Sequence, residues 1–236
     1  MESLQNIKKS NLQIVDHVHI VQGCNDCNIR HISICEIVKE SELDFLTNLS
    51  KNIIFKKNSE LFQQGDESKF VYSITSGVAR IVVNLEDGRR QILGFLLPGD
   101  FIGITLEPTW NINVEAVTEI SACKFSRLKF KEFMTENQNR SVKLQILSKN
   151  EIEELRKMIV ILGVMSAEEK ILKFIFMQKK RWDHIKSTKS DTVPIDMTRQ
   201  DIANYLGMTI ETVSRTFTNL SKKNIISLQS HSIKIL

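Results

Sequence analysis

The stretch 198–222 constrains the fold most, because its start and stop signals set two short helices close together. Thr198 is followed three residues later by Asp201, which is the spacing of a capping box at the start of a helix. Gly207 suits the left-handed residue that ends this helix, and Thr209 can cap a second one. Two short alternating segments follow near the C-terminus and are typical of strands. Together these signals predict a winged helix-turn-helix.

The second helix of this unit, predicted over 210–222, has two faces of different character. We expect its buried stripe to consist of Ile210, Val213, Phe217 and Leu220. The opposite face carries Glu211, Ser214, Arg215 and Thr218. Arg215 can donate two hydrogen bonds to guanine, Glu211 can accept one from cytosine, and Ser214 can reach a base edge or a phosphate. An ordinary Glu211–Arg215 ion pair on a solvated helix is the alternative that this helix alone leaves open.

Charge is distributed unevenly along the chain. Residues 166–236 hold 12 Lys and Arg against 7 Asp and Glu, whereas residues 1–165 hold 20 against 21. A basic C-terminal unit on a neutral body suggests nucleic-acid binding, although charge alone leaves a merely solvated basic domain equally open. Together with the helix caps, Gly207 and the two C-terminal strands, the charge favours DNA binding. We therefore expect double-stranded DNA as a partner, with Thr209, Arg199 and Lys222 as further contacts.

A long helix is predicted over 140–165, where the sequence contains no proline. Its apolar residues Ile152, Leu155, Ile159 and Leu162 are spaced three, four and three apart, as in a coiled-coil seam. With Ile152 at heptad position a, Glu151 of one chain would face Arg156 of another in a parallel pair. This pattern predicts a parallel homodimer. A helix buried against its own domain is the alternative.

The four cysteines are divided into a group of three and a distant fourth. Cys24, Cys27 and Cys35 lie within twelve residues, and Cys123 stands far from them. Four thiolates can hold a [4Fe-4S] cluster. Cys24, Cys27, His31 and Cys35 can instead form a tetrahedral zinc site, or the thiols can act as a disulfide switch. The spacing alone leaves zinc and iron–sulfur comparable.

The middle of the chain predicts a β-structure. From residue 52 to about residue 125 short strand patterns alternate with turns, including a hairpin signal at 86–89. Strands at this spacing indicate a sandwich or a small double-sheet roll. The whole chain is therefore expected to be α+β.

Several classes of protein are unlikely on sequence grounds. The longest apolar run, residues 158–165, is far too short to span a membrane, and the N-terminus has no signal-peptide pattern. We expect a cytoplasmic protein without a membrane partner. The sequence contains no phosphate-cradling glycine loop and no H-E-x-x-H motif, so an enzyme is not expected.

In the order of its parts, the chain resembles the Crp/Fnr superfamily of bacterial transcription regulators over nearly its whole length. Residues 201–215 resemble that family's helix-turn-helix, including its Glu-x-x-Ser-Arg set. The cysteine pattern resembles the FNR branch, whose members respond to oxygen and regulate anaerobic metabolism. This resemblance implies a [4Fe-4S] cluster on Cys24, Cys27, Cys35 and Cys123. It also implies RNA polymerase as a partner, with the loop 86–90 as a candidate contact.

The resemblance further implies four parts and a fold for each. They are a cysteine-bearing segment (1–38), a cyclic-nucleotide-binding-like β-roll or double-sheet jelly roll (39–139), a long dimerisation helix (140–165) and a C-terminal winged helix-turn-helix (166–236). The active form would be a homodimer on a two-fold symmetric DNA site.

Two departures from the family pattern qualify these expectations. The stretch 111–116 corresponds to the part of the family's cyclic-nucleotide pockets that carries an arginine for the phosphate. Here it contains no arginine, and Glu115 would repel the phosphate. No cyclic nucleotide is therefore expected. Leu155 stands where the best-known FNR-type regulators carry an acidic residue near the dimer seam. Dimerisation is then less dependent on oxygen, or the repulsion comes from the neighbouring glutamates.

Overall fold

The computed structural model describes residues 23–105 and 107–236. The first 22 residues of the predicted cysteine-bearing segment lie outside this part. Its remainder, with the residues up to 42, consists of four short 3₁₀ turns. They span Cys24–Asp26, Arg30–Ile32, Ile34–Ile37 and Glu40–Glu42, and helix α1 (Leu43–Leu49) follows.

A double-sheet β-roll occupies the middle of the chain, as the strand pattern predicts. Its strands are β1 (Ser50–Phe55), β2 (Glu60–Phe62), β3 (Phe70–Ser76), β4 (Ala79–Asn84), β5 (Arg90–Leu96), β6 (Phe101–Ile102), β7 (Asn113–Ala116) and β8 (Ile120–Ser126). One sheet has the order β1-β8-β3-β6 and the other β2-β7-β4-β5. Tyr72, Ile74 and Ala122 of the first sheet pack against Ala79 and Val114 of the second, which forms the core of the roll.

Two helices leave the roll. Helix α2 (Arg127–Thr135) covers the end of the first sheet, and helix α3 (Gln138–Val164) is the long helix that the sequence predicts. Asn137 caps α3, because its side chain accepts hydrogen bonds from the first backbone amides of the helix. No helix in the described part of the chain combines the length and apolarity needed to cross a bilayer.

The C-terminal third is a winged helix-turn-helix. Its elements are α4 (Ala167–Lys186), β9 (Thr192–Pro194), α5 (Arg199–Leu206), α6 (Ile210–Lys222), β10 (Ile226–Leu228) and β11 (Ser232–Ile235). The predicted capping box of Thr198 and Asp201 is confirmed, and so is the left-handed Gly207, at φ 60°. Strand β9, which the sequence pattern does not predict, pairs with β11 as a third wing strand.

The roll and the winged helix pack directly on one another. Phe95 of the roll contacts Phe174 of α4 and Tyr205 of α5 within one continuous core. At the edge of this contact the Arg80 guanidinium donates hydrogen bonds to Glu115 and to Asp201, the latter at 2.6 Å. The second sheet of the roll and the helix-turn-helix therefore share both apolar and ionic contacts.

Candidate functional site

All four cysteines line one cavity of about 170 Å³ between the 3₁₀ turns and the first sheet of the roll. Cys24 and Cys35 lie in the turns, Cys27 directly follows the first turn, and Cys123 comes from β8. None of the four takes part in a disulfide. The cavity thus brings together the two sets of cysteines that are distant in the sequence.

The sheet side of the cavity is polar, and its two hydroxyl residues, Ser73 and Thr75, are buried. In the register of the strands Cys123 lies opposite Asn52 of β1 on one side and Ser73 of β3 on the other. The Cys123 thiol donates to the Asn52 side-chain oxygen at 3.5 Å. Thr75 lines the same cavity, and its buried hydroxyl has no hydrogen-bond partner among the described residues.

Local hydrogen bonds hold the cysteine turns in place. The backbone N–H of Cys24 donates to the Thr47 hydroxyl of α1 at 3.1 Å, and the N–H of Cys35 donates to the Ser33 hydroxyl at 3.2 Å. The Arg30 guanidinium donates to the Val38 carbonyl at 2.9 Å and also lines the cavity. The turns are therefore anchored both to α1 and within themselves.

Burial makes the thiolate form of these cysteines unfavourable in the protein alone. Loss of solvation, with smaller contributions from the neighbouring thiols, raises the pKa of Cys35 and of Cys123 to about 12. Burial also raises the pKa of Cys27, while Arg30 favours its charged form. Thiolates at this site need a compensating positive charge, as a bound metal centre supplies.

The arrangement differs from that of a single-ion site. Across the described residues, no group of three or more Cys, His, Asp or Glu side chains is arranged to hold one metal ion. In a tetrahedral zinc site with Zn–S bonds of 2.3 Å, the sulfurs lie about 3.8 Å from each other. His31 is exposed and is not one of the described residues that line the cavity. The cysteines thus surround a space, and His31 lies outside it.

The cysteine turns also contact the long helix. Cys35 and Ile37 pack with Leu144 and Leu147 of α3 around one apolar cluster. Lys143 of α3 forms an ion pair with Glu36 at 2.7 Å, which lowers the pKa of Glu36. A change in the position of the Cys35 turn therefore acts directly on α3.

Helix α6 presents a polar surface to solvent. The predicted reading face, Glu211, Ser214, Arg215 and Thr218, is exposed throughout. Among the described residues Glu211 and Arg215 form no ion pair with each other, which weighs against the alternative of a self-paired face. Thr209 caps the helix as expected, because its hydroxyl accepts from the Thr212 N–H at 3.2 Å.

Ile210 and Arg199 have surroundings in the structure that differ from those expected. Ile210 was expected in the buried stripe, but it is 37% exposed, whereas Val213, Phe217 and Leu220 are buried. As the first residue of α6, Ile210 has no preceding turn to cover it. The Arg199 guanidinium stacks on the Phe217 ring at 3.6 Å, so its role as a phosphate contact stays a prediction beside a packing role.

The apolar seam of α3 is open to solvent in the single chain. Ile152, Leu155, Ile159 and Leu162 are between 38% and 70% exposed. The same helix buries Met158 and Ile161 against its own chain. One face of α3 therefore packs internally, and the predicted seam is a separate face. Glu151 and Arg156 are both exposed beside it.

The stretch 111–116 contains no arginine, but the fold brings two arginines from other strands to Glu115. Arg80 lies on β4, which pairs with β7, and Arg90 lies on β5, on the other side of β4; both form ion pairs with Glu115. Arg80 also forms an ion pair with Asp201. These guanidinium groups already have carboxylate partners.

The polar residues under Cys123 were missed in the sequence analysis. Ser73 and Thr75 alternate with Tyr72 and Ile74 along β3, and this period of two is visible in the sequence. It places the two hydroxyls on one face of the strand. What the sequence does not reveal is that this face is buried beneath the cysteine turns.

Two family matches cover the two folded units. Residues 53–137 match the family described as "Cyclic nucleotide-binding domain", and residues 195–226 match "Bacterial regulatory proteins, crp family".

Known proteins resemble the chain over most of its length. The nitrogen fixation regulation protein FixK of Bradyrhizobium diazoefficiens is 38% identical over 90% of this chain and 90% of its own. The transcriptional activator protein FnrL of Cereibacter sphaeroides is 32% identical over 89% of this chain and 86% of its own. The structure of FixK2 from Bradyrhizobium japonicum has a TM-score of 0.73 at 26% identity, and the match covers 79% of this chain and 92% of that one.

Proposed function

Because the chain belongs to the Crp/Fnr family of DNA-binding transcription regulators, we propose that it senses oxygen or redox state through a [4Fe-4S] cluster. Cys24, Cys27, Cys35 and Cys123 would hold this cluster. Members of the family are transcription regulators and not enzymes. The genes controlled would be those of anaerobic metabolism, in keeping with the FNR-like cysteine pattern.

The observation that carries this proposal is the shared cavity of the four cysteines. Four thiols from two distant segments line one space of about 170 Å³. That is the donor set a [4Fe-4S] cluster requires, with one thiolate for each iron. Among the described residues no side chains are arranged around a single ion, and His31 is exposed, so both observations disfavour a compact zinc site on the cysteine turns. The residues present therefore fit the cluster.

When bound, the cluster supplies a redox-active centre that oxygen converts or destroys. The cysteines of the protein would link the first sheet of the roll to the Cys35 turn through the cluster. Cys123 belongs to the rigid sheet, whereas Cys35 lies on a short turn that packs against α3. Ligands on both sides hold the turn against the sheet, and the Glu36–Lys143 ion pair extends this constraint to α3.

The position of α3 matters because its exposed seam would pair with a second copy of the chain. Crp/Fnr regulators bind DNA as dimers, and the seam of Ile152, Leu155, Ile159 and Leu162 supports the same assembly here. A cluster-dependent shift of α3 would bias this pairing. Moving the population from nearly unpaired to nearly paired takes about 5.5 kcal/mol of differential stabilisation.

In such a dimer the two α6 helices would enter successive major grooves of a two-fold symmetric site. Arg215, Glu211 and Ser214 would read bases, with Thr218 and Thr209 beside them. Arg199 and Lys222 would contact phosphates. The exposed polar surface of α6 supports these roles.

Family regulators also contact RNA polymerase, and the loop 86–90 is the candidate surface for that contact. Residues 86–89 are exposed at the tip of the β4–β5 hairpin, away from the cysteine cavity. We propose no cyclic nucleotide, because Arg80 and Arg90 are neutralised by Glu115 and Asp201.

Anaerobic purification tests the proposal. We expect about four iron and four sulfide per chain and a visible chromophore that is lost in air. DNA binding should weaken as the chromophore is lost. Stoichiometric zinc without a chromophore would refute the cluster.

Two variants separate the cluster from the zinc alternative. Cys123→Ser should abolish the chromophore, whereas His31→Ala should leave it intact. A zinc site on Cys24, Cys27, His31 and Cys35 predicts the reverse dependence of metal content. Circular dichroism and thermal unfolding of both variants check that each remains folded.

A further inference from the structure

Buried hydroxyls without partners are concentrated in the sheet beneath the cysteines. Among the described residues of the roll, the hydroxyls of Thr75, Ser76 and Ser121 are buried without any hydrogen-bond partner. Native proteins contain few such groups, because a buried polar atom without a partner destabilises the fold. Each one therefore calls for an explanation.

Only one of these three hydroxyls belongs to the wall of the cysteine cavity. Thr75 lines that cavity and is 6% exposed, whereas Ser76 and Ser121 are opposite one another in the strand register and do not line it. A register shift between Ile74 and Ser76 marks a bulge at Thr75. Thr75 nevertheless lines the cavity together with Ser73, as the alternation along β3 predicts.

We propose that the Thr75 hydroxyl donates a hydrogen bond to a sulfur of the bound cluster and thereby raises the cluster's reduction potential. This inference rests on the proposed function, because it needs a cluster in the cavity. A hydroxyl is a donor, and cysteine thiolates and cluster sulfides are acceptors, so the missing partner of Thr75 is the group that the cavity would hold.

The direction of the effect follows from charge. Reduction adds negative charge to the cluster, and a hydrogen bond to sulfur stabilises the more negative state. Removing the donor therefore lowers the reduction potential and makes the cluster easier to oxidise. We expect faster loss of the cluster in air when the hydroxyl is absent.

The test compares Thr75→Val with Thr75→Ser in full-length protein carrying its cluster under anaerobic conditions. Valine keeps the shape of threonine and removes only the hydroxyl, whereas serine retains the donor. We expect Thr75→Val to shift the reduction equilibrium by about threefold to tenfold. Tenfold is about 59 mV for a one-electron couple. Thr75→Ser should remain close to the original protein.

Vibrational spectroscopy gives an independent signature of the hydrogen bond. The Fe–S stretching frequencies of the original protein should shift on transfer to deuterium oxide, and Thr75→Val should shift less. A purely structural role for Thr75 would leave this isotope difference unchanged.

Ser121→Ala is the matched control, because it removes an equally unpartnered buried hydroxyl from the same sheet outside the cavity. It should leave both the potential and the isotope shift unchanged. If Thr75→Val matches Ser121→Ala in both measurements while the cluster assembles normally, the inference is wrong and the proposed function survives. If the unmutated protein assembles no iron and sulfide, the proposed function itself fails.

Discussion

Helices α3 and α6 each leave one face uncovered, and the two faces differ in chemistry. The open face of α3 is a stripe of large apolar side chains, with Ile159 at 70% exposure. The open face of α6 consists of Glu211, Ser214, Arg215 and Thr218. Water solvates the second face well and the first one poorly. An open apolar stripe indicates a protein partner of like character, whereas an open polar face with arginine suits the edges of base pairs.

The largest effect is expected at the apolar face. Ile159→Glu would bury two unpaired carboxylates in the seam of a dimer, and each buried unpaired charge costs on the order of 3–5 kcal/mol. We expect the dissociation constant of the dimer to rise by 100-fold or more. Analytical ultracentrifugation over a range of concentrations measures it, and binding to a two-fold symmetric DNA site should fall in parallel.

Val160→Glu provides the control for this substitution. Val160 is also apolar and is 53% exposed on the same helix, but it lies outside the predicted seam. Its replacement should leave dimerisation nearly unchanged. Equal losses in the two variants would show that helix α3 pairs through a different face, or that added acidic charge alone explains the effect.

A smaller effect is expected at the polar face. Arg215→Ala should remove a bidentate base contact and weaken binding to the specific site by about 1–3 kcal/mol, while non-specific binding changes little. Lys222→Ala should instead weaken binding to all sequences alike and reduce its salt dependence. Fluorescence anisotropy with specific and scrambled duplexes at several salt concentrations distinguishes the loss of base recognition in Arg215→Ala from the uniform loss in Lys222→Ala. A uniform loss in Arg215→Ala would mean that this arginine only contacts phosphates.

The C-terminal unit could be predicted from the sequence almost completely, because its signals are local. The capping box of Thr198 and Asp201 and the C-cap of Gly207 involve only residues that are close in the sequence. Each has the predicted role in the structure. Strand β9 was missed because three residues carry too little pattern to identify a strand. Its place in the wing depends on pairing with β11, far along the chain.

The cysteine cavity could be predicted only in part. The sequence names the four cysteines as candidate ligands. That Cys123 lies beside the other three depends on how the turns fold over the first sheet. The ion pairs of Glu115 could not be predicted for the same reason, because Arg80 and Arg90 are distant from it in the sequence and lie on other strands of the second sheet. Non-local pairing is what a single sequence reveals least.

The smallest effect concerns the orientation of the α3 pair. Glu151 and Arg156 are exposed and, among the described residues, neither forms an ion pair within the chain. In a parallel dimer Glu151 of each copy would face Arg156 of the other, and each of these two ion pairs would stabilise the dimer by about 0.2–1 kcal/mol. Glu151→Lys alone should therefore weaken the dimer a few-fold, since two lysines then face two arginines. Adding Arg156→Glu restores opposite charges in both pairs and should recover the affinity at low salt.

In an antiparallel pair equivalent positions face one another instead, so the second substitution would bring no recovery. The difference should fade as salt is raised, because exposed charges are screened, while the loss caused by Ile159→Glu persists.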